Sequence, residues 1–185
     1  NIQGLPTWYE IRVNKDGHVG RSPDIDLTVA MNPQTYKQDV QELREGGVLV
    51  YDSSWPLYEE YKREDISIIG IPFAKLCSSV FDNVRSRILM KNVAYVGALS
   101  ALIKIDMEAI KSQIESIFSK KAKLIPANLA ALKIGYDYAM DNYDCNLGFQ
   151  LETMDKPSDQ VFIDGNTAAA LGCVYAGATV GAWYP

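Results

Sequence analysis

The 185-residue sequence predicts an α/β domain, an open parallel sheet flanked by helices, followed by a linker and the start of a second α/β unit. Three observations carry this. Compact apolar runs at residues 26–31 (DLTVAM), 48–51 (VLVY) and 67–73 (SIIGIPF) have the length and composition of buried strands. Residues between the first two runs carry a helical period, so the order is strand, helix, strand, connector, strand, the grammar of a parallel sheet. Three further helical stretches follow, enough to cover a sheet.

In chain order, residues 7–13 (TWYEIRV) alternate and are rich in β-formers, predicting a strand. Asn14-Lys15-Asp16-Gly17 is a turn signal leading into a short return. After the first buried run, Asn32-Pro33 predicts an N-cap with proline at the first helical position. Tyr36, Val40 and Leu43 then share one face, and Gly46-Gly47 is the expected stop. In the third run, Pro72 lacks an N–H and belongs near a strand end or sheet edge.

The next helix, residues 92–104 (NVAYVGALSALIK), is apolar nearly all round and is expected to be central. Asp106 can cap a second helix with an apolar stripe of Met107, Ile110, Ile114 and Ile117. Pro126 opens a third, with Leu129, Leu132, Tyr136 and Met140 on one face. The polar stretch 141–160 reads as a linker. The implied organisation is a first domain over 1–142, a linker over 143–160 and the beginning of another domain over 161–185. In that tail, Asp164-Gly165-Asn166 caps a run of small apolar residues, and residues 179–184 read as strand. A strand–helix–strand of this size cannot bury its apolar face, since independent folding generally needs more than about 40 residues. With no initiator Met either, the chain is expected to be a segment of a longer polypeptide.

Composition narrows the function classes. Hydrophobic residues make up 48% and charged residues 22%, a globular balance. The 18 basic and 23 acidic residues give a net charge of −5, which disfavours a nucleic-acid backbone as partner. The apolar run 93–103 is far shorter than the ~20 residues of a membrane span. Cys77, Cys145 and Cys173 are dispersed, and His18 is the sole histidine, so neither a disulfide framework nor a four-ligand metal site is patterned. A reduced, cytoplasmic setting is the expectation.

Candidate chemistry is sparse. His18 sits in the hairpin return and reads as a solvated turn residue. Asp52-Ser53-Ser54 follows a buried strand, at the edge where open α/β sheets bind ligands, though Asp and Ser equally favour chain bends. Lys120, Lys121 and Lys123 flank a helix C-terminus, where the dipole explains them and a phosphate contact is the sharper alternative. Cys173, among Ala, Leu and Val, reads as a small core residue. Neither GxGxxG nor GxxxxGK[ST] occurs. The residues alone reach an α/β domain joined to the beginning of another.

A family resemblance adds to this. Ile2-Gln3-Gly4-Leu5-Pro6 with TWYEIRV, Val19-Gly20-Arg21-Ser22-Pro23 leading into IDLTVAMNP, and GGVLVYDSSW resemble the gamma domain of 2-oxoacid:ferredoxin (acceptor) oxidoreductases. The likeness continues through Ile71-Pro72-Phe73, NVAYVGA at 92–98 and NLAALKIGYDY at 128–138. The tail IDGNTAAALG at 163–172 is similar to the opening of their alpha, or pyrimidine, domain, and Tyr184-Pro185 to the first two residues of their YPITPS motif. The order matches the fused gamma–alpha type of alpha subunit.

The resemblance implies a Rossmann-like open sheet for the gamma domain and a truncated thiamine-pyrimidine domain after the linker. It also implies an enzyme subunit that is inactive alone. In such enzymes a 2-oxoacid such as 2-oxoglutarate is oxidatively decarboxylated on thiamine diphosphate with Mg2+. Electrons pass through [4Fe–4S] clusters to ferredoxin, and the acyl group is captured by coenzyme A. The implied partners are the remainder of the alpha subunit, a beta subunit and ferredoxin, with no nucleic acid and no membrane. Gln3 and Gly4 would lie on the coenzyme A side, and Tyr184 and Pro185 at the edge of the thiamine site; no catalytic residue carries over. Two departures stand out. The family's Gly-rich strand–loop–helix has no counterpart here, and its IRGG-like stretch reads Ile2-Gln3-Gly4-Leu5. The competing expectations are a purely structural or assembly module of that complex, and a stand-alone nucleotide-binding α/β protein.

Overall fold

The computed structural model describes residues 6–18, 20–154, 161 and 163–182. The chain divides into two compact units, Asn1–Glu152 and Thr153–Pro185.

The first unit is built on a three-stranded parallel sheet in the order β1 (Ile25–Ala30), β2 (Leu43–Asp52), β3 (Ser67–Ile71). Leu27 to Ala30 pair with Val48 to Tyr51, and Val48 to Asp52 pair with Ser67 to Ile71. The central strand alternates its side chains between two cores, as the period of two requires. Val48 and Val50 face a larger core with Ile69, Ile71 and Phe73, while Leu49 faces a smaller one with Tyr36, Val40 and Leu57.

α1 (Tyr36–Gln41) covers the smaller core. It begins later than Asn32-Pro33 predicts, because Asn32 instead closes a turn, its Oδ1 accepting from the Gln34 N–H at 3.0 Å. It also ends before Gly46-Gly47. The Arg63 guanidinium donates to the carbonyls of Val40 at 2.8 Å and Leu43 at 2.7 Å, stopping the helix there. The two glycines lie inside β2, at a register shift opposite residues 25–27. Gly46 adopts φ 73°, which glycine tolerates without strain.

Two helical features exceed the sequence reading. Residue 73 opens α2 (Phe73–Val80) rather than closing β3. α3 (Val84–Leu102) starts eight residues before Asn92, where Asn83 Oδ1 accepts from Arg85 N–H at 2.8 Å and Ser86 N–H at 3.2 Å. α4 (Met107–Ile117) begins at the expected cap, Asp106 accepting from Glu108 N–H at 2.9 Å. α5 (Ile125–Asn142) has Pro126 in its first turn as expected.

Helices α3 and α5 touch backbone to backbone. A Cβ on Gly97 would lie 1.9 Å from the Leu132 carbonyl oxygen, and one on Gly135 would lie 1.8 Å from that of Ala94. Buried Ala94, Ala98, Ala131 and Ala139 extend this seam of small residues. Beyond α5, Tyr143, Cys145, Leu147 and Phe149 of the expected linker pack against the larger core. The Tyr143 hydroxyl donates to the Gly70 carbonyl at 2.6 Å, pinning this segment to β3.

The predicted strand at 7–13 is not formed: these residues have no ladder partner among the described residues. Residues 179–182 likewise form no strand. The second unit contains α6 (Gly165–Tyr175), capped by Asp164 as expected, with Thr167 N–H donating to its Oδ1 at 2.9 Å. α6 buries none of its residues, so Cys173 is exposed and not a core residue. No helix of the described residues is long and apolar enough to cross a membrane.

The glycine crossing yields a direct expectation. Gly97→Ala forces a methyl into the Leu132 carbonyl and should cost about 2–3 kcal/mol by urea unfolding; unchanged stability would contradict the backbone contact.

Candidate functional site

The C-terminal edge of a parallel sheet is where an open α/β fold gathers its ligand contacts. Here it gathers around one carboxylate. Asp52, the last residue of the central strand, is fully buried. Its Oδ1 accepts from the Ser54 N–H at 3.1 Å, forming the chain bend that Asp52-Ser53-Ser54 predicts, and from the Ala74 N–H at 3.4 Å in the first turn of α2. Ser54 reinforces this, its hydroxyl oxygen accepting from the Lys75 N–H at 3.2 Å. The Asp52 carbonyl in turn accepts from the Tyr36 hydroxyl on α1 at 2.9 Å.

Asp52 Oδ2 has no hydrogen bond; what compensates it is Lys91 of α3, whose Nζ lies 3.3 Å away. The same ammonium donates to the Met31 carbonyl at 3.3 Å and stands 5.0 Å from the centroid of the Trp55 ring, within cation–π range. A charge with no exposure is costly unless paired, and Lys91 is the one cation positioned to pair it among the described residues.

Neighbouring groups feel the same environment. Burial, and then the Asp52 carboxylate, push the Tyr36 phenol well above its usual range, so it stays a donor. Burial, and then Asp52, push the Cys77 thiol up to about 11, with Lys91 opposing. A thiol so placed is protonated and inert at neutral pH.

A second buried carboxylate, Asp39 on α1, accepts from the Trp8 indole N–H at 2.7 Å and from the Thr35 hydroxyl at 2.7 Å. Burial raises its pKa above the ordinary aspartate value, while the Thr35 and Trp8 hydrogen bonds oppose the rise.

Chemically, the Asp52 cluster is a brace. The N-terminus of α2, which could have received a phosphate, already holds a carboxylate of this chain, and an incoming anion would meet that charge. The described residues contain no group of three His, Cys, Asp or Glu side chains that could hold a metal ion. One cavity of about 420 Å³ is lined by Lys37, Gln41, Glu60, Tyr61 and Arg63, but Arg63 is committed to capping α1.

Of the residues singled out from sequence, Asp52 is the one placed at the centre of a cluster. His18 is exposed, and Lys120, Lys121 and Lys123 lie on an exposed 3-10 turn, Ser119–Leu124. Gln3, Gly4, Tyr184 and Pro185 lie outside the described residues. Sequence reasoning missed Lys91 and Asp39. Both sit beside apolar helix positions, which was the available signal: a charge flanking a buried stripe needs a partner.

Three comparisons bear on identity. The family profile described as "Pyruvate ferredoxin/flavodoxin oxidoreductase" matches residues 1–138. The ketoisovalerate oxidoreductase subunit VorA of Methanothermobacter marburgensis is 30% identical over 121 residues, 64% of this chain and 24% of that protein. The 2-oxoglutarate oxidoreductase subunit KorA of Mycobacterium tuberculosis is 25% identical over 179 residues, 84% of this chain and 27% of that protein. Among solved structures, a 2-oxoglutarate:ferredoxin oxidoreductase from Magnetococcus marinus, with 2-oxoglutarate, coenzyme A and succinyl-CoA bound, matches with a TM-score of 0.70 at 26% identity. That match covers 82% of this chain and 26% of the other. The chain therefore spans about a quarter of the length of these relatives.

The raised pKa of Asp39 predicts a pH slope. Its native pKa lies above its unfolded value of about 3.9, so the native state binds the extra proton and its contribution is fully present below that value. It is lost as pH rises through the native pKa. Asp39→Asn should remove this part of the decline in unfolding free energy; identical slopes in the two proteins would contradict it.

Proposed function

Because the chain belongs to the pyruvate ferredoxin/flavodoxin oxidoreductase family, we propose that it serves as the gamma-type α/β module of a 2-oxoacid:ferredoxin oxidoreductase. The observation that carries this is the family match over residues 1–138, supported by the fold shared with the Magnetococcus enzyme. The reaction is oxidative decarboxylation of a 2-oxoacid such as 2-oxoglutarate, giving an acyl-coenzyme A and reduced ferredoxin. Thiamine diphosphate with Mg2+ supplies the carbanion-stabilising chemistry and [4Fe–4S] clusters the electron path, when bound in the whole complex.

In this reading residues 1–142 are the gamma-type domain, 143–160 the connection, whose first part packs on the first unit, and 161–185 the beginning of the pyrimidine-binding domain. Gln3 and Gly4 line the coenzyme A side, and Tyr184 and Pro185 border the thiamine site. The remaining alpha-subunit polypeptide, a beta subunit and ferredoxin are the partners, and the compartment is cytoplasmic. The described residues offer no set of donors for a cluster. Their contribution is to hold shape: Asp52 fixes the sheet edge, and the α3–α5 pair backs the sheet.

A purely architectural role is the second reading, favoured by the self-filled α2 N-terminus. The two separate in the assembled enzyme. Gln3→Ala should raise KM for coenzyme A several-fold while leaving assembly intact. An unchanged KM would leave the architectural role.

Activity gives the broader test. The 185-residue chain mixed with a beta subunit alone should show no 2-oxoacid-dependent viologen reduction. Completed by the remaining polypeptides, it should show reduction that requires both the 2-oxoacid and coenzyme A. Turnover by the chain with the beta subunit alone, or none in the completed assembly, would overturn the proposal.

A further inference from the structure

α3 changes character halfway along. Its C-terminal half buries Ala94, Gly97, Ala98, Ala101 and Leu102, whereas Val84, Ile88 and Leu89 of its first two turns are 67%, 63% and 51% exposed. A helix that is apolar all round is ordinarily covered all round. Here the seam with α5 covers the half that carries Ala94 and Gly97, and the other half is bare. Val84 and Ile88 stand one turn apart, as do Arg85 and Leu89, so the bare turns present two parallel ridges at i, i+4 spacing. The helix start is not an anion site, since the Asn83 side chain already accepts from the Arg85 and Ser86 N–H groups.

Charge narrows what can cover these ridges. Residues 73–91 carry Lys75, Arg85, Arg87 and Lys91 against Asp82 alone, in a chain with 18 basic and 23 acidic residues. Lys91 is spent on Asp52. Arg87 donates through Nε to the Phe81 carbonyl at 2.6 Å, a neutral acceptor that leaves its charge in place. Lys75 and Arg85 are exposed.

We propose that the first two turns of α3 seat an acidic helix from another polypeptide of the oxidoreductase complex, its apolar residues on Val84 and Ile88 and its carboxylates toward Arg85 and Lys75. This rests on the functional reading above, in which the chain works inside a larger assembly. Ridges of this spacing pack into the grooves of a second helix, and the basic groups beside them select carboxylates and repel cations. A second copy meeting itself through this face would set the same arginines against one another. α6 has apolar residues but no carboxylate within its length. A lipid surface would find no Trp or Tyr anchor in residues 73–91.

The test uses the complex completed by its remaining polypeptides. Ile88→Asp and Arg85→Glu, both at exposed positions, should each weaken association of the chain with those polypeptides about 10-fold or more, while urea unfolding of the isolated chain is unchanged. Arg85→Lys should retain association. Carbodiimide joins an amine to a carboxylate in direct contact, so on the wild-type complex, with no variant needed, it should link Lys75 to an Asp or Glu in a helix of another polypeptide. Wild-type affinity in both Ile88→Asp and Arg85→Glu, or Lys75 links confined to this chain, would overturn the docking site; turnover in that same complex would leave the functional reading standing. Docking through α3 in a complex without turnover would do the reverse. Self-association, or binding to phosphatidylserine vesicles, that Ile88→Asp removes would assign the face to a second copy or to a lipid surface and overturn the proposal. Failure of the polypeptides to associate would overturn both readings.

Discussion

A single buried negative charge organises the first unit. Asp52 ends the central strand, and four elements are fastened to it: α1 through the Tyr36 hydroxyl, β2 as its own strand, α2 through the Ala74 N–H, and α3 through Lys91. An uncompensated carboxylate in that position would cost several kcal/mol, so the arrangement is stable only when Lys91 and the Ser54 and Ala74 amides are all in place. This makes the geometry of the sheet edge specific: α2 and α3 cannot shift independently without exposing or orphaning the charge. It also explains why the edge is not an open phosphate site. The position that a ligand's anion would take is held by the protein's own side chain.

The second constraint is steric. Gly97 and Gly135 let α3 and α5 meet at their backbones, and the alanines beside them keep the seam close. Dense packing of this kind is unforgiving of added volume. The pair forms a rigid backing for the sheet, and Tyr143 ties the chain that leaves α5 back to β3. The first unit is therefore braced on both sides of β2, by charge at one end and by close packing on one face.

Much of the fold was legible because local chemistry was unambiguous. Three apolar runs could only be buried strands, and Asp106, Pro126 and Asp164 announced helix starts that the structure shows. Other boundaries depended on contacts distant in sequence. Gly46-Gly47 looks like a helix stop, yet Arg63, twenty residues beyond Leu43, ends α1 first and leaves the glycines to a register shift in β2. Phe73 continues an apolar run and so reads as strand; its partners Leu76, Cys77 and Val80 at helical spacing mark it as helix. For the site, Asp52 was visible as a residue after a strand, but its partner Lys91 was not, since nothing local pairs them. Residues 7–13 have strand propensity, but propensity alone makes no ladder, and no strand forms there.

The claim on which this account rests is that the Asp52–Lys91 pair braces the sheet edge. A double-mutant cycle of Asp52→Asn, Lys91→Met and the combined variant, measured by urea unfolding, tests it most directly. The account predicts that each single substitution is strongly destabilising and that the two are coupled by about 2 kcal/mol, the double variant recovering part of the loss. Single costs that add within about 0.5 kcal/mol would contradict it, showing that the two charges act independently.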